Sequence, residues 1–431
     1  MSESLKMTNE QKLLLGLLSN ILFPGSPQNI KAEDLAGCRW RVLLSECAHH
    51  SCAGHVCQAL KQLGGKPEEC SQALYDRLCL WQREQLARAV TVQHLHVGFG
   101  AILDAAGIPH VFMKGCASAK YYPEPMMRKM GDVDFLVPDE CFDRAALLLE
   151  ENGCIRGSGM HPQELGFKDM RSGLTVELHR GINGTPEGEA GERINFYLSD
   201  IYEKSYEHKM ELGSCRLPSD FHHGLIIAVH SAHHLAKSGL GLRHLCDWAV
   251  FACSMDDGEF EANFKVPLSE IGLWRFARIM TAASSRYLGC RLPSWAESVE
   301  EGLSDALMGD ILKAGDLGSR ERDRDFSGAL VTSADYGSVG DVSMPCQMIR
   351  TANEVVKIRW PAARKIHLLY PVGWIYFGTR YLILVVCGRR QKLPMRKMIV
   401  DAYRRIGIYS GFGLFEPQKP GRCRRCTRNR N

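Results

Sequence analysis

The sequence predicts an α+β fold in which helical regions flank a small strand-bearing core. Three observations predict it. Apolar residues recur at helical spacing through most of residues 1–107 and again across 190–300. Between them, 108–113, 133–137 and 174–180 read as short strands. A helical pattern lies between the last two, so strands and helices mix within about 75 residues.

Taken in order, Thr8 and Gln11 form a capping box that opens the first helix. Residues 78–106 carry a long helical pattern, stopped by Gly107 and Pro109. The apolar strand 108–113 runs into Gly115 and a short helix. Strand 133–137 (VDFLV) is followed by Asp139, read as the cap of a helix with Phe142, Ala145, Ala146 and Leu149 on one face and Gly153 at its end. Residues 174–180 alternate like a strand, and 222–252 are the clearest helical stretch beyond. Residues 315–345 are rich in Gly, Ser and Asp without a sustained period and read as a flexible linker. The expected organisation is a helical N-terminal region (1–83), a core (84–185), a second helical region (186–314), the linker (315–345) and a helical C-terminal segment with a basic tail (346–431).

At 431 residues the chain can hold two or three domains and bury a core without disulfide or metal staples. Hydrophobic residues at 45% and charged residues at 24% exclude wholesale disorder, a collagen-like chain and a coiled coil. The net charge of +4 is too small for a general polyanion binder, and the basic excess lies in the C-terminal tail. Seventeen cysteines is an odd count, and many (Cys47, Cys79, Cys246, Cys253) sit singly in apolar stretches. They read as reduced, buried thiols, which points to the cytoplasm. Residues 13–23 match a signal sequence in length, but Ser19, Asn20 and the lack of a cleavage site argue for an ordinary helix.

Residues 368–388 are largely apolar but include Pro371 and, near the middle, Arg380. An arginine at the centre of a bilayer is costly. A buried or docked helix is therefore expected rather than a membrane span, with an interfacial element beside the basic tail as the alternative.

The sharpest feature is the run from Met130 to Val137, MGDVDFLV. In a strand, Asp132 and Asp134 project to one face while Val133, Phe135 and Val137 take the other. Two carboxylates on one face repel, and become favourable around a hard divalent cation. The pair is a candidate metal clamp for phosphoryl or nucleotidyl transfer; Asp-x-Asp alone equally describes an acidic strand end in solvent. Glu177, which shares a face with His179, completes a three-carboxylate site if the two strands are neighbours. Upstream, strand, turn and helix meet at Lys114 and Gly115, where backbone N–H groups and the lysine can meet phosphates, or where Gly115 is simply a turn residue. Arg128 can neutralise a triphosphate or pair with an acid. His230 and His234 share a helical face, but no third zinc ligand is evident, so a structural or substrate-lining role is expected. Cys423 and Cys426 lack a second pair for zinc.

These residues carry a resemblance. Met113-Lys114-Gly115, Tyr122-Pro123, Arg128, Gly131-Asp132-Val133-Asp134-Phe135-Leu136-Val137 and Glu177-Leu178-His179 together resemble the uncharacterised nucleotidyltransferase family of bacteria, within the polymerase-β-like superfamily. The stretch with His230, His233, Arg243 and Asp247 is similar to the helical region that follows the family's core. The resemblance spans most of 10–300.

It implies a nucleotidyltransferase-fold core with a mixed sheet. It implies that Asp132, Asp134 and Glu177 are catalytic and bind two Mg²⁺ ions, and that Lys114, Gly115 and Arg128 bind the nucleotide. Cys116 stands where the superfamily usually has a small or hydroxyl residue. The implied reaction takes a nucleoside monophosphate from an NTP to a hydroxyl acceptor and releases pyrophosphate. The acceptor is a small molecule, a peptide or a protein; the near-neutral core argues against nucleic acid. The rivals are a non-catalytic nucleotide-binding or regulatory protein on the same fold, a peripheral membrane-associated assembly component, and a tail-adding enzyme acting on nucleic acid.

Overall fold

The computed structural model describes residues 5–157, 163–321, 324–331, 344–389 and 394–416. Four helices open the chain: α1 (Asn9–Leu22), α2 (Trp40–His50), α3 (Ala53–Gln62) and α4 (Gln72–Ala105). The Thr8–Gln11 capping box is formed. Glu10 on α1 is buried and receives both arms of Arg39, at 2.8 and 2.6 Å, which ties α1 to the start of α2.

With 34 residues, α4 is about 50 Å long at 1.5 Å per residue. It joins two apolar cores. Leu78, near its start, belongs to the helical core, whereas Ala89, Val92, Phe99 and Leu103 belong to the core beneath the sheet.

Five strands form the main sheet: β1 (Val111–Met113), β2 (Val133–Leu136), β3 (Cys154–Arg156), β4 (Glu164–Asp169) and β5 (Thr175–His179). Their order is β1-β2-β5-β4-β3, with β2 and β5 parallel and the other pairs antiparallel. The fold is thus α+β with a mixed sheet. A short helix α5 (Gly115–Ala119) follows β1, and α6 (Phe142–Glu151) follows β2. Side-chain alternation divides the sheet. Phe112, Val133, Phe135, Val176 and Leu178 face the core shared with α4 and α6, while Val111, Met113 and Leu136 face the helical core on the other side. Asp134, Glu177 and His179 lie on that second face.

Several expectations are corrected. Asp139 does not cap α6, because a 3₁₀ turn over Asp139–Cys141 intervenes and Cys141 holds the cap position without a side-chain bond. Strands β3 and β4 were not expected. Nor was the hairpin of β6 (Tyr206–Met210) and β7 (Gly213–Leu217), which lies against α4 and β1 within residues read as helical. After α7 (Glu189–Tyr197), which precedes that hairpin, the helical part continues with α8 (Asp220–Ala236), α9 (Leu242–Ala252), α10 (Asp257–Ile271), α11 (Trp274–Leu288) and α12 (Glu301–Ala314). Gly224 on α8 lies against Phe251 and Phe264, so no larger side chain fits without displacing a ring.

Within the stretch read as a linker, α13 (Arg324–Val331) is helical; residues 332–343 lie outside the described residues. The chain continues with α14 (Met344–Arg359), α15 (Leu369–Val386) and α16 (Met395–Ser410). Arg405 of α16 is fully buried and donates to the last carbonyls of α8, at 2.5 Å to Ala236 and 2.7 Å to Lys237, while Tyr409 donates to Leu235 at 2.7 Å. A guanidinium there satisfies carbonyls that lack helix partners and meets the negative end of the helix dipole. Tyr409 and Arg324 meet over the Asp310 carboxylate, which closes the junction of α8, α12, α13 and α16.

Residues 368–388, expected to be buried or docked, are docked on α14 but not buried. Among the residues of α15 only Gly373 is buried, against Val356 of α14, and Ile375 and Val386 are 71% and 85% exposed. The helices that could have covered it already face other partners: α13 packs on α16, and α16 on the end of α8. Among the described residues, α15 is the one helix long and apolar enough to cross a membrane. The fifteen described cysteines are all free, most of them buried. Burial pushes the Cys38, Cys57 and Cys116 thiols up to about 12. Cys423 and Cys426 lie outside the described residues.

Candidate active site on the acidic face of the sheet

The site begins with the β2–β5 pairing. In their parallel register Asp134 stands opposite Glu177, and Leu136 opposite His179. One carboxylate oxygen from each acid and one ring nitrogen of His179 lie within 4.8 Å of one another. His179 Nε2 is 3.1 Å from Asp134 Oδ1 and 3.5 Å from Glu177 Oε2, and its Nδ1 is 3.6 Å from Glu164 Oε2. Asp132 is outside this cluster, just before β2, where the Asp134 and Lys114 charges act on it. Arg88 of α4 fixes the turn beneath it by donating to the Gly131 carbonyl at 3.1 Å.

Lys114 completes the group. Its Nζ is 2.8 Å from Asp134 Oδ1, so the ammonium and the imidazole share one carboxylate oxygen. Burial would raise the Asp134 carboxyl, but the Lys114 charge and the His179 hydrogen bond hold it well below the usual range. Burial also works against charged Lys114 and charged His179, yet the neighbouring carboxylates keep both above their ordinary values. Asp132 is raised, first by the negative charge on Asp134 and then by burial. Glu177 is pulled down by His179 but raised on balance by burial and the Asp134 charge. Two carboxylates are therefore under repulsion beside a third that is already neutralised.

The backbone at the turn is unusual. Lys114 has φ 53° and ψ −112°, a region normally left to glycine. Holding it there costs on the order of 1–3 kcal/mol, a cost offset by the buried bond to Asp134. Gly115 lacks a positive φ, and a Cβ on it would meet only the Asp132 carbonyl at 4.0 Å. The conformational demand at this turn thus falls on Lys114. Cys116 points into the core, with Sγ 3.9 Å from Met130 Sδ, and presents nothing to the turn.

Of the two roles open to Arg128, the structure shows the pairing with an acid. It is buried and forks onto Asp247 of α9, Nε to Oδ1 and Nη2 to Oδ2, both at 2.7 Å. Tyr122 donates to Asp247 Oδ1 at 2.7 Å as well. The triad pins the turn before β2 to α9. Both arms of the fork face Asp247, so the guanidinium is not turned to the acids.

Two neighbours of the acids had no role assigned from the sequence. His179 was noted as sharing a face with Glu177 and in the run that carries the resemblance. His244, at the start of α9, offers one ring nitrogen within 4.8 Å of those of His230 and His234. The charge on Lys114 acts on both His230 and His234, so this cluster lies beside the acidic face.

The family described as uncharacterised nucleotidyltransferases matches residues 37–289, more than half of the chain and all of the site. A solved structure titled an antigenic nucleotidyltransferase-like protein from Paracoccidioides brasiliensis aligns with 49% of this chain and 94% of its own, at 16% identity and a TM-score of 0.29. No curated protein gives a significant match.

Proposed function

Because the chain belongs to the uncharacterised nucleotidyltransferase family, we propose that its acidic sheet face moves a nucleoside monophosphate from a nucleoside triphosphate to a hydroxyl acceptor. The observation that carries this reading is the in-register pairing of Asp134 with Glu177, with Asp132 just before the strand and within reach of the Asp134 charge.

The donor set fits Mg²⁺. It consists of hard carboxylate oxygens, and the repulsion that raises Asp132 is what a divalent cation relieves. Such a cation would supply charge neutralisation for the triphosphate and acidify the acceptor hydroxyl. The remaining work belongs to the chain. His179 holds Asp134 Oδ1 and so fixes the carboxylate's orientation. Lys114, on a flexible stem, can pass from Asp134 to a phosphate oxygen as pyrophosphate charge develops. Glu177 is partly exposed and shifted upward, a disposition suited to receiving the acceptor's proton. The acceptor oxygen then forms a bond to the α-phosphorus while the bond to the pyrophosphate oxygen breaks.

The test is thermal stability of the full chain with each of four nucleoside triphosphates, with and without Mg²⁺. A ligand at a hundred times its Kd should add about 2.7 kcal/mol of stability. A Mg²⁺-dependent rise in Tm for wild type that vanishes in Asp132→Ala is expected. A folded wild type that no triphosphate stabilises would overturn the reading. Binding without turnover would point instead to a non-catalytic nucleotide-binding protein on the same fold.

A second reading, association with a membrane surface, is favoured by α15. Its exposed Ile375, Leu382, Ile383 and Val386 form an apolar surface unmatched by any facing helix among the described residues, with Arg380 placed to reach lipid headgroups. Wild type should float with anionic vesicles. Ile375→Asp with Ile383→Asp should reduce the bound fraction by about 100-fold, roughly tenfold per buried aliphatic side chain lost. Wild type that stays with the unbound fraction would exclude it.

A further inference from the structure

We propose that His230, His234 and His244 form a binding site for one transition-metal ion of the zinc class, separate from the carboxylate site. Three observations converge on it.

The first is geometry. One ring nitrogen from each histidine lies within 4.8 Å of the other two, and His230 Nε2 is 2.9 Å from His234 Nε2. A tetrahedral zinc with bonds of about 2.0–2.1 Å needs its nitrogens roughly 3.3 Å apart. Small ring rotations reach that spacing. The scaffold is rigid: His230 and His234 are one turn apart on α8, whose end Arg405 and Tyr409 hold by its carbonyls. His244 sits in the first turn of α9, which Asp247 anchors to Arg128.

The second is unsatisfied polarity. His230 Nδ1 and Asp316 Oδ1 are buried without a hydrogen-bond partner among the described residues. His234 Nδ1 has Ser238 Oγ at 3.2 Å. Gly241 N–H donates to His244 Nδ1 at 3.3 Å, and Asp316 Oδ1 lies 3.5 Å from the same nitrogen. Ligation through His244 Nε2 would move the ring proton to Nδ1 and exchange the bond from Gly241 for one to Asp316, the carboxylate–histidine arrangement that orients metal-binding imidazoles.

The third is chemical class. An all-imidazole set suits zinc, copper or nickel, whereas the carboxylates of β2 and β5 suit Mg²⁺, so the two sites select different ions. His230 and His234 are only partly buried, which leaves a fourth position open to a water or a ligand oxygen.

Cobalt binding to the full, reduced, chelator-stripped chain tests this. One equivalent of Co²⁺ should give visible d–d bands without the thiolate-to-cobalt charge transfer that a cysteine site would show, and Zn²⁺ should displace it. His230→Gln and His234→Gln should each weaken binding by about 100-fold at unchanged apo Tm, and Asp316→Asn by about tenfold. Asp132→Ala should leave it intact, which separates this site from the proposed triphosphate site. Absent cobalt binding, a thiolate signature, or undiminished affinity in a folded His234→Gln variant would overturn the proposal. If the variants fail to fold, X-ray absorption of zinc-loaded wild type decides: an imidazole-nitrogen shell supports the site, and a sulfur shell overturns it.

Discussion

Arg128→Leu should destabilise the protein by about 3–5 kcal/mol, the usual consequence of removing one partner from a buried ion pair. Asp247 would remain enclosed in α9 with only the Tyr122 hydroxyl to receive it. Its carboxylate is low in the intact protein because the Arg128 charge overcomes burial, and that support would be lost. Chemical denaturation of wild type, Arg128→Leu and the double variant Arg128→Met, Asp247→Leu measures the effect. The double variant should recover most of the loss, since matched apolar groups replace a buried pair at little cost. If Arg128 instead served the triphosphate, Arg128→Leu would keep its stability and lose only nucleotide binding, which would sink the structural assignment.

Asp134→Asn should reduce metal-dependent nucleotidyl transfer by about 10³-fold or more, the equivalent of several kcal/mol of charge stabilisation. The substitution keeps the shape and removes the charge on which Lys114 and His179 converge. It should also destabilise the fold, because the Lys114 ammonium would be left largely enclosed, on a strained backbone, without its partner. Adding Lys114→Met should restore much of that stability without restoring turnover. Release of pyrophosphate reports the first effect and denaturation the second. An Asp134→Asn enzyme with wild-type turnover would remove Asp134 from the chemistry.

The parts of this site that local rules govern were legible in the sequence. Alternation alone separates Asp134 from Val133 and Phe135, and Glu177 and His179 from Val176 and Leu178. The contact between Asp134 and Glu177 was conditional on strand neighbours, and the parallel register supplies it. For Arg128 both a triphosphate and an acid were open, and its acid could not be named because Asp247 is 119 residues away with no local signal. Lys114 was read as a positive charge at a phosphate-binding turn assigned to Gly115, whereas its bond to Asp134, and the backbone strain it bears, had no signal in the sequence. The β6–β7 hairpin does alternate, with Tyr206, His208 and Met210 against Glu207 and Lys209 and with Cys215 and Leu217 around Arg216, but each strand is only five residues long and lies inside a longer stretch read as helical. In α15 composition misled in the opposite direction, since apolar sequence suggests burial only when an apolar face is available to receive it.

The sequestered thiols have a consequence for the lifetime of the protein. Disulfide chemistry proceeds through the thiolate, which burial suppresses in the folded chain. Unfolding would release the ten thiols buried among the described residues together, at their ordinary acidity of about 8.5. Because the chain's seventeen cysteines are an odd number, pairing within one chain always leaves at least one thiol to react with another molecule. Under oxidising conditions each complete opening therefore becomes a one-way event, and persistence is set by the rate of unfolding rather than by its equilibrium.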